Sequence, residues 1–151
     1  MTRLLIVACS QAKRPDARSM EAIERYDGPT FRLLRKARGL GLLGNVRVMI
    51  LSAKYGLIPE YWMIDDYDQR MTPARAAELA GPTSVQLWRW IGQNGCSDVF
   101  VNVGRGYAPA LAGFDDWCLQ HGIIVTQAAG GVGERLAQTK QWLEKNGRIA
   151  P

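Results

Sequence analysis

Four stretches of the chain are almost continuously apolar: Arg3–Ala8, Val46–Leu51, Asp98–Val103 and Gly122–Thr126. A strand with one face in water alternates apolar and polar positions. An unbroken run instead reads as a strand covered on both faces, as in a mostly parallel sheet. The stretches between these runs carry helix signals. Pro29 opens a helix over Thr30–Arg38, closed by Gly39 or Gly41, because proline fits a first turn and glycine a helix end. Thr72 is placed to cap a second helix at Pro73, where its hydroxyl can accept a free backbone N–H. Gly81-Pro82 is expected to break that helix before it resumes over Thr83–Ile91, since proline removes a backbone donor. Two more helices are expected over Ala108–Gln120 and Val132–Lys145. Strands alternating with helices predict a three-layer α/β/α sandwich around a mostly parallel four-stranded sheet. The expectation is one domain across residues 1–151. Ile58–Met71 is left as a long acidic and aromatic loop, and such a loop inside a small domain is usually functional.

In open α/β sheets ligands bind beyond the carboxyl ends of the strands. Here those ends read Cys9-Ser10-Gln11-Ala12-Lys13-Arg14, Ser52-Ala53-Lys54-Tyr55-Gly56, Gly104-Arg105-Gly106-Tyr107 and Gln127 through Arg135. Each carries a lysine or arginine, so together they predict one cationic face. Gly130-Gly131-x-Gly133 lies between a strand and a helix. It suits phosphate, because glycine lets the backbone approach and the helix start offers free N–H groups; a plain tight turn would use the same residues. Neither a dinucleotide-binding glycine fingerprint nor a Walker A sequence is present. Arg32, Arg35 and Arg38 recur every three residues with Lys36 beside them. That stripe, read as lacking an acidic partner, either tracks phosphates or is an ordinary polar helix face.

Charge sharpens this picture. The formal net charge of +5 favours a polyanionic partner. Cys9, Cys96 and Cys118 are odd in number and widely spaced, and His121 is the one histidine. This argues against a disulfide framework or a zinc site and for a reducing, cytoplasmic compartment. No metal, cofactor or membrane is expected. With so little histidine, general-base chemistry falls to a carboxylate, and Asp65, Asp66 and Asp68 are the candidates. They can equally be turn residues. Tyr55, Tyr61, Trp62 and Tyr67 surround them, either to stack on bases or to anchor the loop. Trp88, Trp90, Trp117 and Trp142 read as core or half-buried residues of helices. Cys9 reads as a buried thiol and Ser10 as a phosphate contact.

Three strings then form one pattern: Cys9-Ser10-x-x-Lys13, Tyr26-x-Gly28-x-x-Phe31 and Leu51-Ser52-Ala53-Lys54-Tyr55-Gly56-Leu57. The pattern resembles a family of small, mostly uncharacterised bacterial and phage domains. It is similar to the uracil-DNA-glycosylase-like domain of archaeosine synthase, with its P-C-S-x-x-K-P-Y element, and distantly to the peroxide stress protein family. Some defence glycosylases that remove bulky modified bases from phage DNA look similar in type. The resemblance implies a uracil-DNA-glycosylase-like α/β/α sandwich with its site at the strand ends. Uracil-DNA glycosylases themselves carry G-Q-D-P-Y-H where this chain has Cys9-Ser10-Gln11-Ala12-Lys13, which points away from ordinary uracil excision.

The expected function is N-glycosidic cleavage of a modified base in DNA. One of Asp65, Asp66 or Asp68 would position water or stabilise the oxocarbenium. Cys9, Ser10, Lys13, Ser52, Lys54, Tyr55, Tyr67 and Arg105 would hold the substrate. Gly130, Gly131, Gly133, Arg135, Arg32 and Arg35 would contact phosphate. The alternatives are a nucleosidase or deoxyribosyltransferase acting on free nucleotides, and a non-catalytic nucleic-acid-binding module.

Overall fold

The computed structural model describes residues 2–147. Strand β1 (Arg3–Ala8) is central, with β3 (Val46–Ser52) parallel on one side and β6 (Asp98–Asn102) parallel on the other. Strand β7 (Ile124–Gln127) extends the parallel set beyond β6. A fifth strand, β4 (Gly56–Pro59), lies antiparallel on β3, so the sheet is mixed with order β4-β3-β1-β6-β7.

The four-strand expectation is thus corrected by a hairpin. Ser52 pairs with Gly56 across Ala53-Lys54-Tyr55, a three-residue loop that needs a left-handed residue. Gly56 supplies it with φ +73°. Two backbone N–H groups, of Lys54 and Tyr55, donate to Ser52 Oγ at 3.2 and 3.1 Å. Pro59 ends the edge strand, where a missing N–H costs no ladder bond. Part of the expected loop forms a second ribbon, β2 (Met20–Glu21) with β5 (Met63–Ile64).

The unbroken apolar runs are explained by two cores. Leu5 and Val7 of β1 face α1 (Ala22–Arg25), α2 (Pro29–Gly39) and α5 (Val132–Asn146), packing with Ile23, Phe31, Leu34 and Trp142. Leu4 and Ile6 face α3 (Pro73–Asn94), a 3-10 turn at Ala108–Leu111 and α4 (Phe114–Gln120), packing with Leu87, Ile91 and Phe114. Edge strand β7 departs from the pattern, with Ile124 exposed.

Two helix expectations change. Helix α3 runs unbroken through Gly81-Pro82. Ala76 and Leu79 before the proline and Thr83, Leu87 and Ile91 after it form one buried stripe, and that shared face outweighs one lost bond. The helix expected over Ala108–Gln120 is instead two pieces parted at Gly113, φ +82°. Trp88 is more exposed than expected, stacked on half-buried Trp117 at the surface. Among the described residues no helix is long and apolar enough to cross a membrane.

Candidate functional site

Strand β1 delivers Cys9 and Ser10 to the sheet's carboxyl end. Ser10 Oγ accepts the Gly28 N–H at 3.2 Å and donates to the Ala12 carbonyl at 2.6 Å. The two chains are so close that a Cβ on Gly28 would sit 2.9 Å from Ser10 Cβ. Glycine in Tyr26-x-Gly28 is therefore a requirement of packing. The same approach pairs Lys13 with Tyr26 in a β-bridge.

Below Lys13 lies a knot of hydroxyls. Tyr67 Oη is 2.6 Å from Tyr26 Oη and 2.8 Å from Ser52 Oγ, and Tyr26 Oη donates to Ser52 Oγ at 3.2 Å. Burial pushes both phenols above their ordinary range, so they stay protonated. Lys13 Nζ is 4.4 Å from the centre of the Tyr67 ring and Lys54 Nζ 5.6 Å, while the Tyr55 ring meets Tyr67 edge-on at 5.4 Å. One aromatic ring thus has two ammonium groups near it, an arrangement favoured by the ring quadrupole; Lys13 lines the cavity beside it and Lys54 does not.

A cavity of about 310 Å³ opens beside this knot, lined by Cys9, Ser10, Lys13, Asp68, Arg70 and Tyr107, among others. Cys9 Sγ is 3.1 Å from Tyr107 Oη. Burial raises the Tyr107 phenol too. Of the three candidate aspartates, only Asp68 lines this cavity. Asp65 leaves β5 on the ribbon side and accepts a 2.5 Å hydrogen bond from Ser19 Oγ; Asp66 and Asp68 are both exposed.

A smaller cavity of about 220 Å³ lies between the starts of α2 and α5, with Ser10, Thr30, Asn102 and Arg135 on its wall. Arg135 also lines a third, of about 430 Å³, with Arg105 and Gly130. It is positioned by a 3.4 Å hydrogen bond to Asn102 Oδ1, and Asn102 in turn donates to Thr139.

Residues 4–144 match the family of unknown function DUF6884. The chain belongs to that family. No curated protein matches it. The crystal structure of AF0587, a protein of unknown function, is similar in fold, with a TM-score of 0.56 and 19% identity over 98% of this chain. The chain spans 46% of that protein's length.

In this DUF6884 chain the arginine stripe is not free of acids, contrary to expectation. Arg32 and Arg35 both bond Asp27, and Arg38 bonds Glu24. Arg35 also donates to the Ile23 and Tyr26 carbonyls at 2.9 and 2.8 Å. These acids precede the helix in sequence, so inspecting the helix alone misses them. The glycine loop is also partly occupied from within. Gly130 takes φ +94° with the Glu134 carboxylate packed against it, Gly131 caps α5, and Gly133 faces open space. Tyr61 and Trp62 do not join Tyr55 and Tyr67; both are exposed, on another groove.

Sequence reasoning passed over Arg25. Its side chain is fully buried, and its guanidinium donates to the carbonyls of Arg14, Asp16 and Arg18 at 2.7, 2.8 and 2.5 Å. It thereby folds the loop that follows Lys13. Nothing local marks it, because its partners are backbone carbonyls, which any residue supplies. Asn102 and Arg70 were also missed. Asn102 is a buried polar residue that ends an apolar strand, which was a usable signal. Among the described residues no group of three or more His, Cys, Asp or Glu is placed to hold a metal.

Proposed function

We propose that the protein hydrolyses the N-glycosidic bond of a modified base in DNA, with Asp68 as the working carboxylate. The observation that carries this reading is the cavity in which Asp68 lies with Lys13, Arg70 and Tyr107 at the ends of β1 and β6. Glycosidic cleavage needs this combination. The C1′–N bond breaks with its electron pair leaving on the base, positive charge grows on the sugar, and water adds to C1′. A carboxylate stabilises that charge or takes the water's proton. The departing base carries off the electron pair, and the Tyr107 hydroxyl, which burial keeps protonated, can stabilise it by a hydrogen bond in the cavity without giving up its proton. Lys13 and Lys54, steadied by the Tyr67 ring, suit phosphate or base carbonyls. Arg105 and Arg135 suit a backbone phosphate.

The test is to incubate the protein with DNAs carrying natural and hypermodified bases, then treat with alkali. Cleavage at abasic sites in one modified DNA is the expected result. Its absence in every DNA would sink the reading, and base release from nucleotides alone would leave the alternative below.

One observation favours acting on free nucleotides instead. Arg32, Arg35 and Arg38 are engaged by Asp27 and Glu24, which shrinks the cationic track available to a duplex. Chromatographic detection of free base from modified nucleoside monophosphates separates the two.

A further inference from the structure

Helix α3 has a second face. Its buried stripe packs on the sheet, while Pro82, Val85, Gln86, Arg89, Trp90 and Gln93 follow one another at helical spacing along the wall of an open groove. The groove has a volume of about 790 Å³. Its other wall is the beginning of β3, with Arg47, and the turn after β4, with Glu60, Tyr61 and Trp62.

Two features of this wall are out of the ordinary for plain surface. First, Tyr61 and Trp62 are 58% and 49% exposed on a turn whose backbone is fixed at four points. Glu60 N–H donates to Val48 and Trp62 N–H to Pro59, at 3.2 and 3.1 Å, while the Trp62 and Glu60 carbonyls accept from Ala22 and Ile23 at 2.8 and 3.0 Å. The backbone holds the turn, and the rings are left to face the groove. Second, the charge is cationic. Arg47 and Arg89 are both exposed, and Arg89 has no hydrogen-bond or ion-pair partner among the described residues. Glu60 is the single acid on the wall; burial raises its carboxyl and the Arg47 charge opposes that shift, so one acid faces two arginines.

Exposed aromatic rings on a held backbone, beside arginines of which Arg89 is unpaired among the described residues, suit single-stranded nucleic acid. Bases stack on rings without regard to sequence, and the backbone follows the cations. We propose that this groove binds a single-stranded nucleic-acid segment, with bases on Trp62 and Tyr61 and phosphates on Arg47 and Arg89. The inference rests on the reading of nucleic acid as substrate and deepens it.

The test is fluorescence anisotropy of a labelled 12-nucleotide oligothymidylate with the whole chain, alongside base release. Trp62→Ala and Arg89→Glu, both at exposed positions, should each weaken binding by at least about fivefold, within the range for loss of one stacked base. Leu119→Ala, exposed on α4 away from the groove and the cavity, should bind as wild type. Melting temperatures check that the variants fold. Wild-type affinity in folded Trp62→Ala and Arg89→Glu, or no binding by the wild type, overturns the groove. The glycosidase reading stands or falls separately. If the groove variants bind weakly while no substrate loses a base, the groove survives and the enzymatic reading fails. If base release depends on Asp68 but binding ignores Trp62 and Arg89, the reverse holds.

Discussion

Asp68 and Arg25 show how differently single residues can be read. Asp68 was visible as one of three aspartates in a polar loop, but sequence spacing could not choose among them. The choice comes from the ribbon of β2 and β5, which carries Asp65 toward Ser19 and leaves Asp68 at the cavity with Lys13. Asp68→Asn should therefore lower base release by about 10²-fold or more, the usual scale for a lost general base. Asp65→Asn and Asp66→Asn should stay within about threefold of wild type, on the same scale. Initial rates on one modified substrate decide between them. Arg25 was invisible, for the opposite reason. Its guanidinium serves three carbonyls of one loop, and losing charged hydrogen bonds from buried groups is costly. Arg25→Met should destabilise the protein by about 3 kcal/mol or more. Limited proteolysis should also cut first within residues 14–18. A melting temperature unchanged from wild type would contradict the clamp.

Elements were legible where the pattern was long and less so where it was short. Strand β1 falls where the apolar run lies, and β3 and β6 differ from theirs by one residue at the end. Strand β4 was lost because four residues ending in proline give no periodicity of their own. Its signal was there as Ser52-Ala53-Lys54-Tyr55-Gly56, which the structure turns into a hairpin: serine ties the loop and glycine takes the left-handed position. Gly56→Ala tests this. It strains φ by about 1–2 kcal/mol and places a Cβ 3.3 Å from Leu79, so the denaturant midpoint should fall and the Ser52–Tyr67 contact loosen. Helix α3 gives the opposite sign. Its packing already carries it through Pro82, which is exposed. Pro82→Ala restores a backbone donor, and the gain should be about 1–3 kcal/mol after the lost rigidity of the unfolded chain is set against it. A fall in melting temperature would mean that α3 depends on the proline.

At the scale of the molecule, both sheet faces were legible from the unbroken runs, and the second groove was not, since it needs α3 and the β4 turn brought together. The two cores also bury titratable groups that are neutral at ordinary pH, and this sets a direction for stability. Burial raises the phenols of Tyr26, Tyr67 and Tyr107, lifts the Cys96 thiol, and pushes the Cys118 thiol up to about 12. Folded-state values above the unfolded ones mean that the native protein keeps protons the unfolded chain releases. Their contribution is full below the unfolded values and is lost as pH rises through them. The window opens near pH 9, where an ordinary thiol ionises, and deepens past pH 10, where phenols follow. Each such group costs about 1.4 kcal/mol per pH unit while it is ionised only in the unfolded chain. The melting temperature should therefore be level from about pH 7 to pH 9 and fall with increasing slope above it. Between about pH 9 and pH 10 the thiols dominate, so Cys96→Ala with Cys118→Ala should flatten that first part of the fall and leave the steeper part above pH 10 in place. The double variant starts from a lower melting temperature, because it leaves cavities behind; the slope is the readout. A wild-type curve that stays level through about pH 11 would mean that water reaches these groups and that the two cores are not the dry layers their packing describes.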